Sequence, residues 1–228
     1  MKINGFQKLT LLDFPQKMAC IIFTAGCNFR CPFCHNASLV THIDNNASID
    51  EREIFDYLTK RKGLLEGVCI TGGEPLAQPD IEQFIRKVKD MGYSVKLDTN
   101  GSFPDKLISL VENGLVDYVA MDIKNSKKKY AETAGITDLK LSDIEKSIAF
   151  LLENKVEYEF RTTVVNELHT LEDIQDIAKW IVGASKYFLQ NYVDSGDIIS
   201  ENMSCVDKNR LEKMRQGASA VGLPVEIR

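Results

Sequence analysis

Three cysteines fall within eight residues, in the run Cys27-Asn28-Phe29-Arg30-Cys31-Pro32-Phe33-Cys34. A C-x3-C-x2-C spacing lets three thiolates wrap one compact metal centre. A structural zinc site closes with four ligands, and His35, adjacent to Cys34, is awkwardly placed to complete a tetrahedron. An iron–sulfur cluster also usually takes four cysteines, so three would leave one iron open to another ligand. A zinc knuckle completed by Cys69 or Cys205, and reduced thiols without metal, remain as alternatives. Further along lie Gly72-Gly73-Glu74, Asp98-Thr99-Asn100 and Asp122-Ile123-Lys124. Paired glycines permit positive φ and close approach of backbone to a ligand. Two aspartates at one sheet rim need a counter-cation or a raised pKa. Hard oxygen ligands suit Na⁺, K⁺ or Mg²⁺, whereas the plainer role for each Asp is to cap a turn. Lys124 shares a face with Asp122 if the strand continues. Arg161 offers a planar fork for a carboxylate, or a structural salt bridge.

The elements that must carry these groups alternate. Met18–Thr24, Gly67–Thr71, Val95–Asp98, Val116–Asp122, Tyr158–Val165 and Tyr187–Gln190 are short apolar runs without alternation, as expected of parallel strands covered on both faces. Helical patterns separate them. Ser48 with Glu51, and Ser142 with Glu145, read as capping boxes. Ile81, Phe84, Ile85 and Val88 make a helical stripe closed by Gly92. Pro104 opens a helix that Gly114 ends, Thr170 starts another, and a last helix near Asp207–Gln216 precedes a short strand at Val225–Ile227. About six strand–helix alternations without a linker imply right-handed βαβ units around one parallel sheet, in a single domain. Doubly wound and barrel-like closures both fit. Six units are fewer than the eight of a full barrel, which typically needs ~250 residues. Residues 1–17 read as an N-terminal hairpin or cover, 18–192 as the six units, and 193–228 as the C-terminal helix and strand. Nearly every candidate residue follows or closes a strand, and catalytic groups of parallel α/β folds gather at that rim. Arg161, inside its strand, is the partial exception.

Composition narrows the class. With 228 residues, 44% hydrophobic and 27% charged, the chain is a globular one, and its net charge of -5 gives no sign of a nucleic-acid binder. The strongest apolar run, Met18–Phe23, is far short of the ~20 residues that span a bilayer. No apolar signal core follows Met1, so the expected compartment is the cytoplasm, without membrane attachment. There, clustered cysteines bind metal or do chemistry more often than they form a disulfide framework. Cys20 and Cys69, inside apolar runs, read as small hydrophobes. His42 and His169 have no partner pattern and are assigned to surface loops, as is the run Lys127-Lys128-Lys129.

The segment Cys27–Cys34, with aromatic Phe33 before the last cysteine, resembles the signature of the radical S-adenosylmethionine (SAM) superfamily. Thr71-Gly72-Gly73-Glu74-Pro75 looks like its GGE motif. Leu97-Asp98-Thr99-Asn100-Gly101 and Met121-Asp122-Ile123-Lys124 resemble glycyl-radical-enzyme activases. The opening Gly5-Phe6-Gln7-Lys8-Leu9-Thr10-Leu11-Leu12-Asp13-Phe14-Pro15 is similar to the anaerobic ribonucleoside-triphosphate reductase activating proteins. These motifs cover most of residues 5–165, and matching beyond Val165 is weaker.

The resemblance implies an incomplete (β/α)6 TIM-like barrel with a 4Fe–4S cluster on Cys27, Cys31 and Cys34. SAM would chelate the fourth iron through its amino and carboxylate groups. One electron would then cleave it to methionine and a 5′-deoxyadenosyl radical, which takes a glycine Cα hydrogen from a partner enzyme. The resemblance places Phe33, His35, Gly72, Gly73, Glu74, Asn100, Asp122, Lys124, Arg161 and Gln190 around SAM. The Gly72–Gly73 backbone would meet its amino group, and Lys124 or Arg161 its carboxylate. Gln190, at the family's ribose contact, stands where some activases have His. A monovalent cation would be held by Asp98, Thr99, Asp122 and the Ala120 carbonyl. The implied partners are a glycyl radical enzyme, anaerobic ribonucleotide reductase, and a flavodoxin or ferredoxin electron donor. The alternatives are an activase of another such enzyme, for instance pyruvate formate-lyase, and a radical SAM enzyme acting on a small molecule or peptide. Outside the class stand an iron–sulfur electron carrier and a zinc-binding adaptor, neither of which has a use for Gly72–Glu74.

Overall fold

A computed structural model describes residues 1–44 and 47–228. Eight strands form one sheet: β1 (Ile3–Thr10), β2 (Ala19–Thr24), β3 (Gly67–Gly72), β4 (Ser94–Thr99), β5 (Tyr118–Asp122), β6 (Glu157–Val164), β7 (Tyr187–Asn191) and β8 (Val225–Ile227). Each lies beside its neighbours in sequence, and β2 to β8 run parallel. A doubly wound sheet reverses its order at a switch point. This one does not, so it follows the progression of a barrel wall, and among the described residues β1 and β8 leave it open. The N-terminal segment adds to the sheet as an antiparallel edge strand paired to β2. The short C-terminal strand is a full member, paired to β7.

Helices α1 (Ala37–Val40), α2 (Glu51–Lys60), α3 (Ile81–Asp90), α4 (Pro104–Glu112), α5 (Tyr130–Ala134), α6 (Leu141–Leu152), α7 (Leu171–Trp180) and α8 (Lys208–Ser219) fill the connections. Among the described residues, no helix is long and apolar enough to cross a membrane. Thr170 caps α7 as its sequence suggests, in a reciprocal capping box with Asp173. Both expected capping boxes are corrected. Asp50, not Ser48, caps α2, accepting from the Arg52 amide. In α6, Ser142 already lies inside the helix behind Lys140, so its hydroxyl has no N-cap position to occupy.

The period-two geometry of the strands separates two faces. Cys20, Ile22, Val68, Ile70, Val95, Leu97, Val119 and Met121 belong to the large core shared with the helices. A second, smaller core lies on the other face: Ala19, Ile21, Cys69 and Tyr118, with Phe14 from the β1–β2 connection. These residues begin or precede the middle of their strands, so they plug the end of the barrel interior away from the strand C-termini. Above the plug the same face turns polar, with Asp98, Asp122, Arg161, Thr163 and Gln190.

Candidate active site

The turns after β2 and β3 are fastened to each other by backbone. The Gly73 amide donates to the Thr24 carbonyl and the Glu74 amide to the Gly26 carbonyl, both at 2.8 Å. Gly72 has φ of +110°, open to glycine at little cost. At Gly73 the need is space, because a Cβ there would fall on the carbonyl of Gly26. Both glycines thus let the end of β3 lie against the start of the cysteine loop. The Asn36 side chain, two residues beyond Cys34, donates to the Gly72 carbonyl at 3.2 Å.

Glu74 is buried, at 1% exposure. Its Oε1 accepts from the Leu76 amide (3.1 Å) and the Thr99 hydroxyl (2.7 Å), and its Oε2 from the Asn100 amide (2.7 Å). The carboxylate therefore staples the β3 turn to the end of β4. Burial pushes its pKa up to about 7, against the pull of those three donors. Asn100, so positioned, donates to Asn28 Oδ1 at 3.0 Å and lies 3.9 Å from Cys27 Sγ.

The cysteine loop docks on the C-terminal end of α5. The Arg30 amide donates to the Ala134 carbonyl at 2.9 Å, and the Cys31 thiol lies 3.8 Å from the same oxygen. Gly135, at φ of +67°, lets the Arg30 carbonyl approach where a side chain would block it. Cys27 Sγ accepts from the Phe29 amide at 3.3 Å. Burial, then the nearby Glu74 charge, pushes the Cys27 thiol up to about 12, and burial takes Cys31 to about 11. Cys34 and Cys27 are half-buried, and Cys31 is buried.

The same cavity carries a charge network. Arg161 bridges both aspartates, with Nη1 at 3.3 Å from Asp98 and Nε at 3.0 Å from Asp122. Lys124 reaches Asp122 at 3.1 Å, and Lys96 bonds the remaining oxygen of Asp98. Burial opposes the charge on Asp122, yet Arg161 and Lys124 hold its carboxyl down at about 2. Arg161 and Lys96 likewise hold Asp98 below its ordinary value, against its burial. Burial also works against the Lys124 ammonium, but Asp122 and then Cys31 raise its pKa, so it stays charged.

One cavity at the strand C-terminal rim gathers these groups. Cys27, Cys31, Cys34, Phe33 and His35 line one side. Gly72, Gly73 and Glu74 lie beside Asp98, Thr99 and Asn100, and Asp122, Lys124, Arg161 and Gln190 complete the wall. Ala120, the register partner of Asp98 in β4 and Glu159 in β6, does not line it. Burial, then the Lys124 charge, lowers the pKa of His35. Asn191, next to Gln190, turns away to the Val206 backbone.

Phe29 and Thr71, which lie within the quoted motifs but were given no role, also face the cavity, as do Asn36 and Thr163, which no motif marked. Thr163 was accessible to reasoning, since it lies two residues beyond Arg161 on the same face. The assignment of His169 to the surface is corrected: it is 1% exposed. Its Nδ1 accepts from the Val165 amide at 3.1 Å, so Nε2 carries the hydrogen donated to the Lys124 carbonyl at 2.9 Å. That bond anchors the backbone from which Lys124 reaches the cavity. His42 is exposed, as expected. In the lysine run, Lys127 and Lys128 are exposed, whereas Lys129 pairs with the buried Asp173 at 2.6 Å.

Comparison with known proteins now adds to this geometry. The family described as the radical SAM superfamily matches residues 21–181. A Methanocaldococcus jannaschii protein named "Putative glycyl-radical enzyme activating enzyme" is 35% identical, over 83% of this chain and 79% of its own length. A pyruvate formate-lyase-activating enzyme of Staphylococcus aureus is 29% identical over 63% of this chain, which spans about half (52%) of that relative. Among solved structures, Streptococcus suis SuiB bound to S-adenosylmethionine superposes with a TM-score of 0.67 at 16% identity, covering 91% of this chain and 51% of SuiB. That likeness speaks for the fold alone. The superfamily match across the sheet and the extensive identity to the archaeal relative establish that this chain belongs to the radical SAM superfamily, among the glycyl-radical-enzyme activating enzymes.

Proposed function

We propose that the chain installs a glycyl radical on an anaerobic ribonucleoside-triphosphate reductase, using SAM and an electron from a flavodoxin or ferredoxin. Its superfamily works with a 4Fe–4S cluster and SAM. The donor set suits that cluster. Three soft thiols line one side of the cavity.

In this reading Cys27, Cys31 and Cys34 hold the cluster and leave one iron for SAM. When bound, the cluster and SAM supply reductive cleavage of a carbon–sulfur bond and abstraction of a hydrogen atom. The chain's own residues orient and exclude. Lys124 and Arg161 present the cationic surface for the SAM carboxylate. The Gly72–Gly73 turn offers backbone acceptors to its amino group, and Asn36 and Glu74 hold that turn and Asn100 in place. Phe33, His35 and Gln190 enclose the rest. A hydrogen-atom transfer asks for no general acid or base, and the roles above contain none.

The observation that carries the reading is one cavity lined by a thiol triad together with the Lys124 and Arg161 cations. The N-terminal motif Gly5–Pro15 favours the reductase as partner, while identity to the staphylococcal enzyme supports pyruvate formate-lyase as a second reading. Reconstituted, reduced protein with SAM should raise a glycyl EPR doublet on the reductase. A doublet on pyruvate formate-lyase alone would transfer the assignment to that partner.

A further inference from the structure

The carboxylate pair Asp98 and Asp122 would need a bound cation if nothing else balanced it. The residues present do not fit one. Asp98 accepts from Lys96 and Arg161, and Asp122 from Arg161 and Lys124, so each of the four carboxylate oxygens already faces one of the chain's own cations. The Thr99 hydroxyl donates to Glu74 at 2.7 Å and accepts from the Gly101 amide at 3.1 Å, and Ala120 does not line the cavity. An alkali ion needs several oxygens turned toward it, and this set is already committed.

We propose that the Lys96 ammonium is a built-in monovalent cation, which frees this protein from a requirement for Na⁺ or K⁺. Lys96 lies two residues before Asp98 in β4, so both project into the barrel interior. Its register neighbours are Cys69 in β3 and Tyr118 in β5, both members of the apolar plug. The methylene stem therefore rises from the plug, and the ammonium ends at Asp98 one layer higher. The side chain is 2% exposed and does not line the cavity. Lys96 thus acts on the cavity only through Asp98, as a positioning residue. Arg161 and Lys124 remain at the cavity wall with charge to spare for an anion. The burial also explains why a lysine is tolerated there: a desolvated ammonium is stable when a carboxylate meets it, and the Asp98 carboxylate needs the same partner.

The proposal concerns the apo chain and rests on the proposed function only where SAM is the probe. Thallous ion, a spectroscopic stand-in for K⁺, should show no saturable binding to the wild-type apo protein by ²⁰⁵Tl NMR. Exchanging KCl for choline chloride at constant ionic strength should leave its thermal midpoint unchanged. Lys96→Ala, with the ammonium gone, should bind Tl⁺ saturably at millimolar concentration and unfold at a higher temperature in KCl or NH₄Cl than in choline chloride. In the reconstituted variant, SAM affinity should fall about tenfold or more in choline and recover in KCl. Lys96→Arg, which keeps the charge, should remain indifferent to the ion. Saturable Tl⁺ binding to the wild type would overturn the proposal, as would a Lys96→Ala variant with wild-type stability and no ion dependence. If Lys96→Ala folds in no salt, Lys96→Gln, which keeps the stem and loses the charge, is measured in its place. Failure of SAM to bind any of the proteins would count against the proposed function and leave the Tl⁺ and stability results to decide this one.

Discussion

Replacing Gly73 by alanine adds one methyl group at the seam between the β3 turn and the cysteine loop. No positive φ is required there, so the alanine meets no backbone strain, and the penalty is steric alone. The new Cβ would sit 2.6 Å from the carbonyl carbon of Gly26 and closer still to its oxygen. Ordinary carbon contacts lie near ~3.5–4.0 Å, so one of the two backbones must move by on the order of 1 Å. Overpacking of this kind costs about 1–3 kcal/mol. The Glu74 amide would also lose the Gly26 carbonyl, now 2.8 Å away, worth about 0.5–1.5 kcal/mol. Together these give about 1.5–4.5 kcal/mol, or a fall of about 3–18 °C in the thermal midpoint of the apo chain. The displaced residue, Gly26, precedes Cys27, so iron and sulfide retained per chain after anaerobic reconstitution should fall as well. Gly92→Ala is the matched control. That glycine has φ of +89° but open space around its Cβ, so strain should lower the midpoint while iron uptake stays at the wild-type level. A Gly73→Ala protein with the wild-type midpoint and full iron content would refute the steric reasoning.

Cys31→Ala should abolish the cluster absorbance while far-UV circular dichroism shows a folded chain, and retention at full intensity would remove Cys31 from the ligand set. Asp122→Asn tests the charge network by pH. Because the folded-state pKa of Asp122 is depressed from 3.8 to about 2, its stabilisation is fully present above 3.8 and is lost as pH falls toward 2. In urea unfolding of the apo proteins, the variant should be clearly weaker than wild type at pH 6, with the gap narrowing toward pH 3. A gap that stays constant over that range would show that Asp122 is not stabilised as a carboxylate.

Sequence made the rim of the barrel legible because each motif closes an apolar run that could only be a buried strand. Thr170 was legible for a local reason: hydroxyl and carboxylate stand three apart at the start of a stripe, and the chain uses both. The same spelling failed at Ser48 and Ser142, where another cap or an earlier helix start won, a competition between neighbouring residues that the motif does not encode. His169 was misread because its partners are backbone groups, Val165 N–H and the Lys124 carbonyl, which leave no trace in side-chain patterns. Lys96 was hidden for a different reason. A charged residue in a strand suggests solvent, and only the sheet register shows that its stem is enclosed by Cys69 and Tyr118. Glu74 was recognised as part of a ligand motif, but its three donors show a bracing role that no spacing conveys.

The most direct measurement is product formation from SAM. The chain is reconstituted anaerobically with iron and sulfide, reduced in the presence of SAM, and assayed for methionine and 5′-deoxyadenosine, with Cys31→Ala as the blank. Both products are expected in equal amounts from the wild type and neither from the variant. Intact SAM after reduction of a fully loaded wild-type protein would contradict the assignment of Cys27, Cys31, Cys34 and the cationic wall to reductive SAM cleavage.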